Sequence, residues 1–354
     1  MTQRSAATPP GLVRTAKGPL VLLFYDGLEL KAAPGALGHV YSQTRRAARY
    51  VVRNLKRTQV RTGFYVAFRG LQKCLEAVGA DVRVNDFATA KRMPNYPIGI
   101  GGYPSVIEKV QLPNPTIFGP GDYGSPEASV KLAQQDRFRF FIQPCQWYVD
   151  YFAPYSGKEK TVVWPVGLDV KAIPDFSRDP KTIDVLIYDK IRWFRDERVG
   201  TVLNRLTKLL DAQGKTYKIL RYGHHHHSDF YAALRASKSM AFLCEHETQG
   251  LACQEAMAAN IPIFSWDDGV IVDPGMLHPE GLEVSAVPYF DDTCGVRFKL
   301  NDMETAFAKF WANLASFHPR DYIARELSLE AAGEAYLKLY ARTANAPAAK
   351  QAAE

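Results

Sequence analysis

Cysteine is scarce: five in 354 residues, at positions 74, 145, 244, 253 and 294, with no Cys-x-x-Cys pair. Such an odd, scattered set argues against a disulfide framework and a zinc module, and fits a reducing compartment. Long apolar runs are also missing. The most apolar stretch near the start, Pro19–Tyr25, is far short of the roughly 20 residues a membrane-spanning helix needs. No small-residue cleavage site follows it, so it reads as a buried strand and not as a secretory signal. There is no repeat period and no low-complexity tract. The expectation is a soluble, cytoplasmic protein, peripheral on the inner face of a membrane where it meets lipid at all.

What is present is ample core material. Apolar residues make up 47% of the chain, which rules out global disorder. At roughly 100–200 residues per domain, two domains are the default. The 44 Lys and Arg exceed the 37 Asp and Glu, for a net charge of +7. That balance favours anionic partners without choosing among nucleotide, membrane and nucleic acid.

Apolar strand-like runs alternate with helical patterns. Val21–Tyr25 is followed by Gly63–Val78, where Phe64, Phe68, Leu71 and Leu75 share a helical face. Gly79 stops that helix before a short strand, Asp81–Val84. Thr116–Phe118, Phe138–Ile142 and Thr161–Trp164 are further strands. A Pro-, Asp- and Lys-rich stretch, Gly167–Thr182, reads as a linker. A second series follows: strand Ile183–Tyr188, helix Val199–Ala212, strand Tyr217–Arg221, helix Ser228–Ala236, strand Ser239–Cys244, helix Leu251–Ala259 and strand Ile261–Ser265. Strands separated by helices imply parallel βαβ units, so the chain reads as two α/β halves. Open sheets of this kind bind ligands at the carboxyl ends of their strands, and the cleft between the halves is the expected site.

The segment from Phe242 to Ser265 carries the chemistry. It is a strand, a turn with Glu247 and Gly250, a helix with Glu255, and another strand. Gly250 permits close backbone approach to a ligand. The free N–H groups of the helix start make an anion site, and a diphosphate suits it. Two carboxylates beside it suit hydroxyl recognition, since carboxylates are strong acceptors. Two Glu eight residues apart mean little alone, but the surrounding text is specific. Glu247, Gly250, Leu251, Glu255, Ala256, Met257, Ala258 and Pro262 match the Glu-x7-Glu region of retaining GT-B glycosyltransferases of the family 4 type, which the segment resembles. Thr248 and Gln249 depart from the usual Gly-Phe, and Asn260 replaces a Gly. Val163–Asp169 resembles that family's interdomain segment, Thr62-Gly63 its Gly-rich loop, and Ser328–Tyr336 its closing helix.

The resemblance implies a GT-B architecture, two Rossmann-like domains facing across a cleft. Residues 1–18 would be a flexible start, 19–170 the acceptor domain, 171–325 the nucleotide-sugar domain, 326–342 the closing helix and 343–354 a flexible tail. It implies transfer of a sugar from a nucleotide-sugar donor to a glycan or lipid-linked saccharide, with anomeric configuration retained. Glu247 would contact donor-sugar hydroxyls near the anomeric centre, and Glu255 the ribose diol. The backbone at Gly250 and Leu251 would meet the diphosphate, with Thr248 and Gln249 beside it. Cations are expected in Tyr188–Arg198, with Lys190 favoured for the catalytic role and Arg195 after it. Gly63 would face the phosphate and Gly223 the nucleobase. Gly121 and Asp122 are candidates for the acceptor. No metal and no cofactor are expected, so helix dipole and cations would stabilise the leaving diphosphate.

Other signals weigh less. His224–His227 are adjacent and cannot all face one centre, which makes a polar loop the simpler reading. Asp267-Asp268-Gly269 reads as a turn. Gly99-Ile-Gly-Gly102 is a weak dinucleotide signal, because the third Gly is not at the proper spacing. Two other function classes stay open: a nucleotide-sugar epimerase of the same fold, and a non-catalytic glycan-binding protein.

The segment Tyr41–Arg57 is a basic amphipathic helix. At about 100° per residue, Arg45, Arg46, Arg49, Arg53, Lys56 and Arg57 fall in an arc of roughly 120°. Such a face suits an anionic membrane surface or a polyanionic acceptor. Nucleic acid is not expected, because no aromatic-interleaved platform accompanies it. Reversing the charge at Arg49 and Arg53 should weaken sedimentation with anionic liposomes. Unchanged binding would remove the membrane role.

Overall fold

The apolar run Gly18–Tyr25 forms strand β2, buried along its length except at Tyr25. A run buried at every residue, instead of every second one, belongs to a sheet covered on both faces. A computed structural model of the chain describes residues 9–25 and 63–345, apart from 103, 122 and 123, together with 40, 41, 44, 45, 47 and 48. The chain splits into two units. One holds the described residues up to Gly167 and again from Ser328, and the other holds Leu168–Leu327.

In the first unit the order is β1 (Arg14–Thr15), β2, α1 (Gly63–Ala77), β3 (Asp81–Val84), α2 (Phe87–Arg92), β4 (Ile98–Gly102), α3 (Pro104–Lys109), β5 (Thr116–Gly121), α4 (Pro126–Ala133), β6 (Phe138–Gln143), α5 (Gln146–Ser156) and β7 (Thr161–Val163). Strand β2 pairs with both β3 and β4, and β5, β6 and β7 follow outward. All these pairings are parallel, and only the short β1 runs antiparallel to β2. The glycines at 99, 101 and 102 therefore lie within a strand and not in a nucleotide-binding loop.

The second unit contains β8 (Ile183–Asp189), α6 (Arg195–Arg198), α7 (Asn204–Ala212), β9 (Tyr217–Arg221), α8 (His227–Ala236), β10 (Ser237–Leu243), α9 (Leu251–Ala258), β11 (Ile263–Trp266), β12 (Gly295–Phe298), α10 (Met303–Ala312) and α11 (Pro319–Glu326). Its five strands are all parallel, in the order β12-β11-β10-β8-β9. The chain moves from β8 outward to β9 and then crosses back to β10. At such a reversal the carboxyl ends of the two diverging strands open a crevice where ligands bind. Apolar residues cover both faces, Met240, Phe242 and Met257 on one and Val185, Ile187, Phe264 and Phe307 on the other.

Two expectations need correction. The helix expected over Val199–Ala212 begins at Arg195 and passes through a π-helical turn, Val199–Leu203, before α7. Gly200 and its β-branched neighbours Val199, Thr201 and Val202 weaken regular helix there. The stretch Gly167–Thr182 connects the units but is pinned. The Arg320 guanidinium in α11 donates to the carbonyls of Val170 at 2.7 Å and Ile173 at 3.0 Å, and also to Ala258 at the end of α9.

The final helix, α12 (Leu329–Asn345), returns to the first unit. The buried Tyr340 hydroxyl accepts from the Leu22 amide at 2.9 Å and donates to the Pro97 carbonyl, and Trp164 Nε1 donates to Ala332 O at 2.9 Å. Among the described residues no helix is long and apolar enough to cross a membrane. Helix α12 lies so close to α1 that a Cβ at Gly333 would sit 2.2 Å from the Cys74 carbonyl oxygen. Gly333→Ala gains roughly 0.5–1 kcal/mol of helix propensity but loses about 1–3 kcal/mol to overpacking. Thermal unfolding should show a net fall in melting temperature, and a rise would contradict this packing.

Candidate active site

Strands β8 and β10 end side by side, and the residues just beyond them build the site. Asp189 pairs with Leu243 in register. The Lys190 amide donates to the Leu243 carbonyl at 2.9 Å, extending the ladder one step. From there Lys190 Nζ lies 2.5 Å from Glu247 Oε1, with the Tyr222 ring 4.5 Å from the ammonium on another side. Arg192 reaches the same carboxylate oxygen at 3.6 Å and donates to the His246 carbonyl at 2.5 Å. The Cys244 thiol lies 3.3 Å from that Glu247 oxygen. Only 9% of Glu247 is exposed, so this is a buried carboxylate with two cations on one oxygen.

The charges follow from the geometry. Burial pushes the Glu247 carboxyl upward, but Lys190 and then Arg192 outweigh it and hold it below its usual range. Burial lowers Lys190, and Glu247 more than compensates, so Lys190 stays above its ordinary value. Both groups are ionised across the physiological range. Burial and the Glu247 charge push the Cys244 thiol well up, so it stays protonated and can donate. Burial and the Arg192 charge bring His246 down to about 4. It is a neutral ring at pH 7, stacked on Trp193 at 4.8 Å between centroids.

Backbone contacts fix this cluster. The Glu245 carboxylate, itself buried, accepts from the amides of Arg192 at 3.1 Å and Trp193 at 3.2 Å. The Glu247 amide donates to Ser285 O at 2.9 Å. Ser285 in turn donates its hydroxyl to Asp267 at 2.7 Å, and the Ala286 amide donates to the same carboxylate at 2.9 Å. Asp268 accepts from the Leu300 amide at 3.1 Å. The two aspartates thus organise the chain around the turn.

Helix α9 begins at Gly250, whose φ of 77° and ψ of 45° are left-handed and favour glycine. Gln249 and Gln254 close this turn, side chain to side chain at 3.1 Å and Gln254 to the Gln249 carbonyl at 2.8 Å. Thr248 and Leu251 are half-buried beside it. The helix ends in a Schellman arrangement, with the Asn260 amide on Met257 O at 2.9 Å and the Ile261 amide on Ala256 O at 3.0 Å. Asn260 has φ 63°, a left-handed position that asparagine tolerates, so it can stand where a glycine is usual. Glu255 lies on this helix and is partly exposed, with His227 Nε2 2.9 Å from its Oε2.

The structure therefore brings Lys190, Glu247, Thr248, Gln249, Gly250, Leu251 and Glu255 to one region of the second unit. Gly223 is the left-handed residue of the turn after β9. Arg195 is engaged elsewhere: its guanidinium grips Asp189, with Nη1 2.9 Å from Oδ1, and also donates to Ile191 O at 2.8 Å. Gly63 opens α1 and Gly121 closes β5, both in the first unit. A Cβ at Gly63 would meet nothing within 4 Å. Arg45 is helical and exposed. Asp122, Arg49, Arg53 and Lys56 lie outside the described residues. Sequence reasoning missed Arg192, Glu245, Cys244 and the His227 contact. The signal for Arg192 was its place in a run of basic residues, and only the β8–β10 register shows which of them turns toward Glu247.

No family model matches the chain, and no curated protein matches it in sequence. Solved structures do match in fold. A glycosyltransferase from Rickettsia africae aligns with a TM-score of 0.51 at 12% identity, over 92% of this chain and 98% of its own. Sucrose-phosphate synthase from Thermosynechococcus elongatus aligns with a TM-score of 0.51 at 14% identity, over 91% of this chain and 98% of its own. The architecture is GT-B, built of two Rossmann-like units. At this level of identity the likeness concerns the fold alone.

Removing one partner of a buried ion pair costs about 3–5 kcal/mol where the other charge is left uncompensated, and less here because Arg192 stays 3.6 Å from Glu247. Lys190→Met should lower the melting temperature at pH 7. The deficit should shrink on acidification toward about pH 5, since protonation of the stranded Glu247 relieves it. A deficit independent of pH would contradict the ion-pair assignment.

Proposed function

We propose that the protein is a retaining glycosyltransferase of the family 4 type that takes its sugar from a nucleoside-diphosphate sugar. One observation carries the reading: a buried carboxylate and two cations at the strand reversal of the second unit, next to the amino end of the helix that bears Glu255. Diphosphate oxygens suit the Lys190 and Arg192 charges and the free amides of α9. Glu247 contacts sugar hydroxyls near the anomeric carbon, and Glu255 the ribose diol. From the family resemblance, Gly63 is the candidate for a phosphate contact and Gly121 and Asp122 for acceptor contacts. The acceptor is a glycan or lipid-linked saccharide, and the basic residues within positions 41–57 favour its presentation at an anionic membrane surface.

The reaction breaks the anomeric C–O bond and releases a nucleoside diphosphate. Charge on the departing oxygen rises, and Lys190 and Arg192 meet it. Arg192 takes the second cation role, because Arg195 is held by Asp189. With these cations in place the transfer proceeds without a metal ion. Retention follows if the acceptor oxygen bonds the anomeric carbon on the face the diphosphate leaves, its proton passing to the departing phosphate oxygen. Glu247 then orients the sugar and is not required as a nucleophile.

Losing one well-placed donor to a developing charge costs about 2.7–4 kcal/mol, or roughly 10²–10³ in rate. Lys190→Ala and Arg192→Ala should each lower kcat/KM by about that factor, and Arg195→Ala by less. The assay is proton NMR of product formed from a panel of nucleotide sugars and glycan acceptors, with and without EDTA. Retained anomeric configuration and indifference to EDTA are the expected results. Turnover of donor without any acceptor would favour the epimerase reading, and an inverted product would overturn retention.

A further inference from the structure

The four consecutive histidines, His224–His227, are unused by the cluster above, and the structure gives them separate surroundings. His225 lies against Tyr188, 5.5 Å between ring centroids, and Phe230, 6.0 Å away. His226 caps α8, and its amide donates to the Asp229 carboxylate at 3.1 Å. His227 opens α8 and reaches α9, with its Nε2 2.9 Å from Glu255 Oε2. Tyr231, one turn on, holds the imidazole with its ring 4.8 Å away, and Phe230 is 6.5 Å away.

A carboxylate has about four acceptor sites on its two oxygens. One imidazole bond to Oε2 fixes the group's orientation and leaves the rest of its capacity for a ligand. We propose that His227 is a positioning residue for the nucleoside subsite, holding the Glu255 carboxylate in the orientation that accepts a ribose hydroxyl pair. The inference rests on the reading of Glu255 given under the proposed function, and adds a residue to it.

The geometry makes the hold sensitive to pH. The groups that face His227 are Glu255 from α9 and Tyr231 from its own helix, with Tyr188 of β8 behind Phe230 and Asp229 bonded to the neighbouring His226 amide. The hydrogen bond to Glu255 holds the imidazole above its ordinary pKa, against a smaller opposing effect of burial. The charged imidazolium therefore persists at low pH and is lost as pH rises through that raised value. With it goes the ionic part of the hold on Glu255.

Calorimetric titration with UDP, GDP and ADP picks the tightest nucleotide, and that nucleotide and its 2′-deoxy form are the probes. Exposed ion pairs are worth at most about 1 kcal/mol, or fivefold. His227→Ala should weaken the ribonucleotide about three- to fivefold and the deoxy form less. His227→Gln keeps a donor but cannot titrate. The ratio of wild-type to His227→Gln affinity should fall between about pH 5.5 and 8.5, and taking the ratio cancels titration of the nucleotide itself. If Glu255→Ala weakens binding while His227→Ala matches wild type and the ratio is flat, the positioning role is overturned and the site reading stands. If no nucleotide binds, or Glu255→Ala binds as wild type, the site reading fails and this inference with it.

Discussion

The buried Glu247 carboxylate and the two cations on it are the constraint around which the second unit is arranged. Taking a charge out of water costs several kcal/mol per ion even after relaxation. The cluster persists only because its partners are held in place by other bonds. Glu245 ties down the loop that carries Lys190 and Arg192. Asp267 and Ser285 tie down the chain that receives the Glu247 amide. Cys244, kept protonated by burial beside Glu247, adds a donor to the same oxygen. Two cations against one carboxylate leave the cluster with one positive charge in excess.

Much of the fold was legible because the strands of a parallel sheet advertise themselves. Val185, Leu186, Ile187 and Tyr188 in β8, and Met240, Ala241, Phe242 and Leu243 in β10, are buried on both faces and read as unbroken apolar runs. The turn at Gly250 and the helix carrying Glu255 were legible for a different reason: the two glutamates mean little by spacing alone, but the residues around them resemble the Glu-x7-Glu region of a known family. The π-helical turn at Val199–Leu203 was not legible, since helical periodicity does not separate it from the α-helix it interrupts. The packing of Gly167–Thr182 also escaped, because Arg320, which pins it, lies about 150 residues away in sequence.

The site was half legible. Lys190 was favoured over Arg195 only through the family resemblance, in a basic run whose register the sequence leaves open, and the structure sets it one residue past β8 against Glu247. Arg192 and Arg195 look alike in sequence, three residues apart in one basic run. What divides them is Asp189, a buried carboxylate at the end of β8, which takes Arg195 and leaves Arg192 to Glu247. Glu245 and His246 sit beside Glu247 in sequence and gave no separate signal. Their roles depend on stacking and amide contacts with Trp193 and Arg192, across the gap between two strands that are distant in the chain.

The central claim is that the second unit binds a nucleoside diphosphate through Lys190, Arg192 and Glu255. A thermal-shift panel of UDP, GDP, ADP, CMP and dTDP, each with and without EDTA, tests it most directly. A ligand at 100 times its dissociation constant stabilises a protein by about 2.7 kcal/mol, a readily measured shift. One nucleoside diphosphate should raise the melting temperature equally with and without EDTA. Arg192→Ala and Glu255→Ala should each abolish most of the rise. A rise that both variants keep, or no rise with any nucleotide, would contradict it.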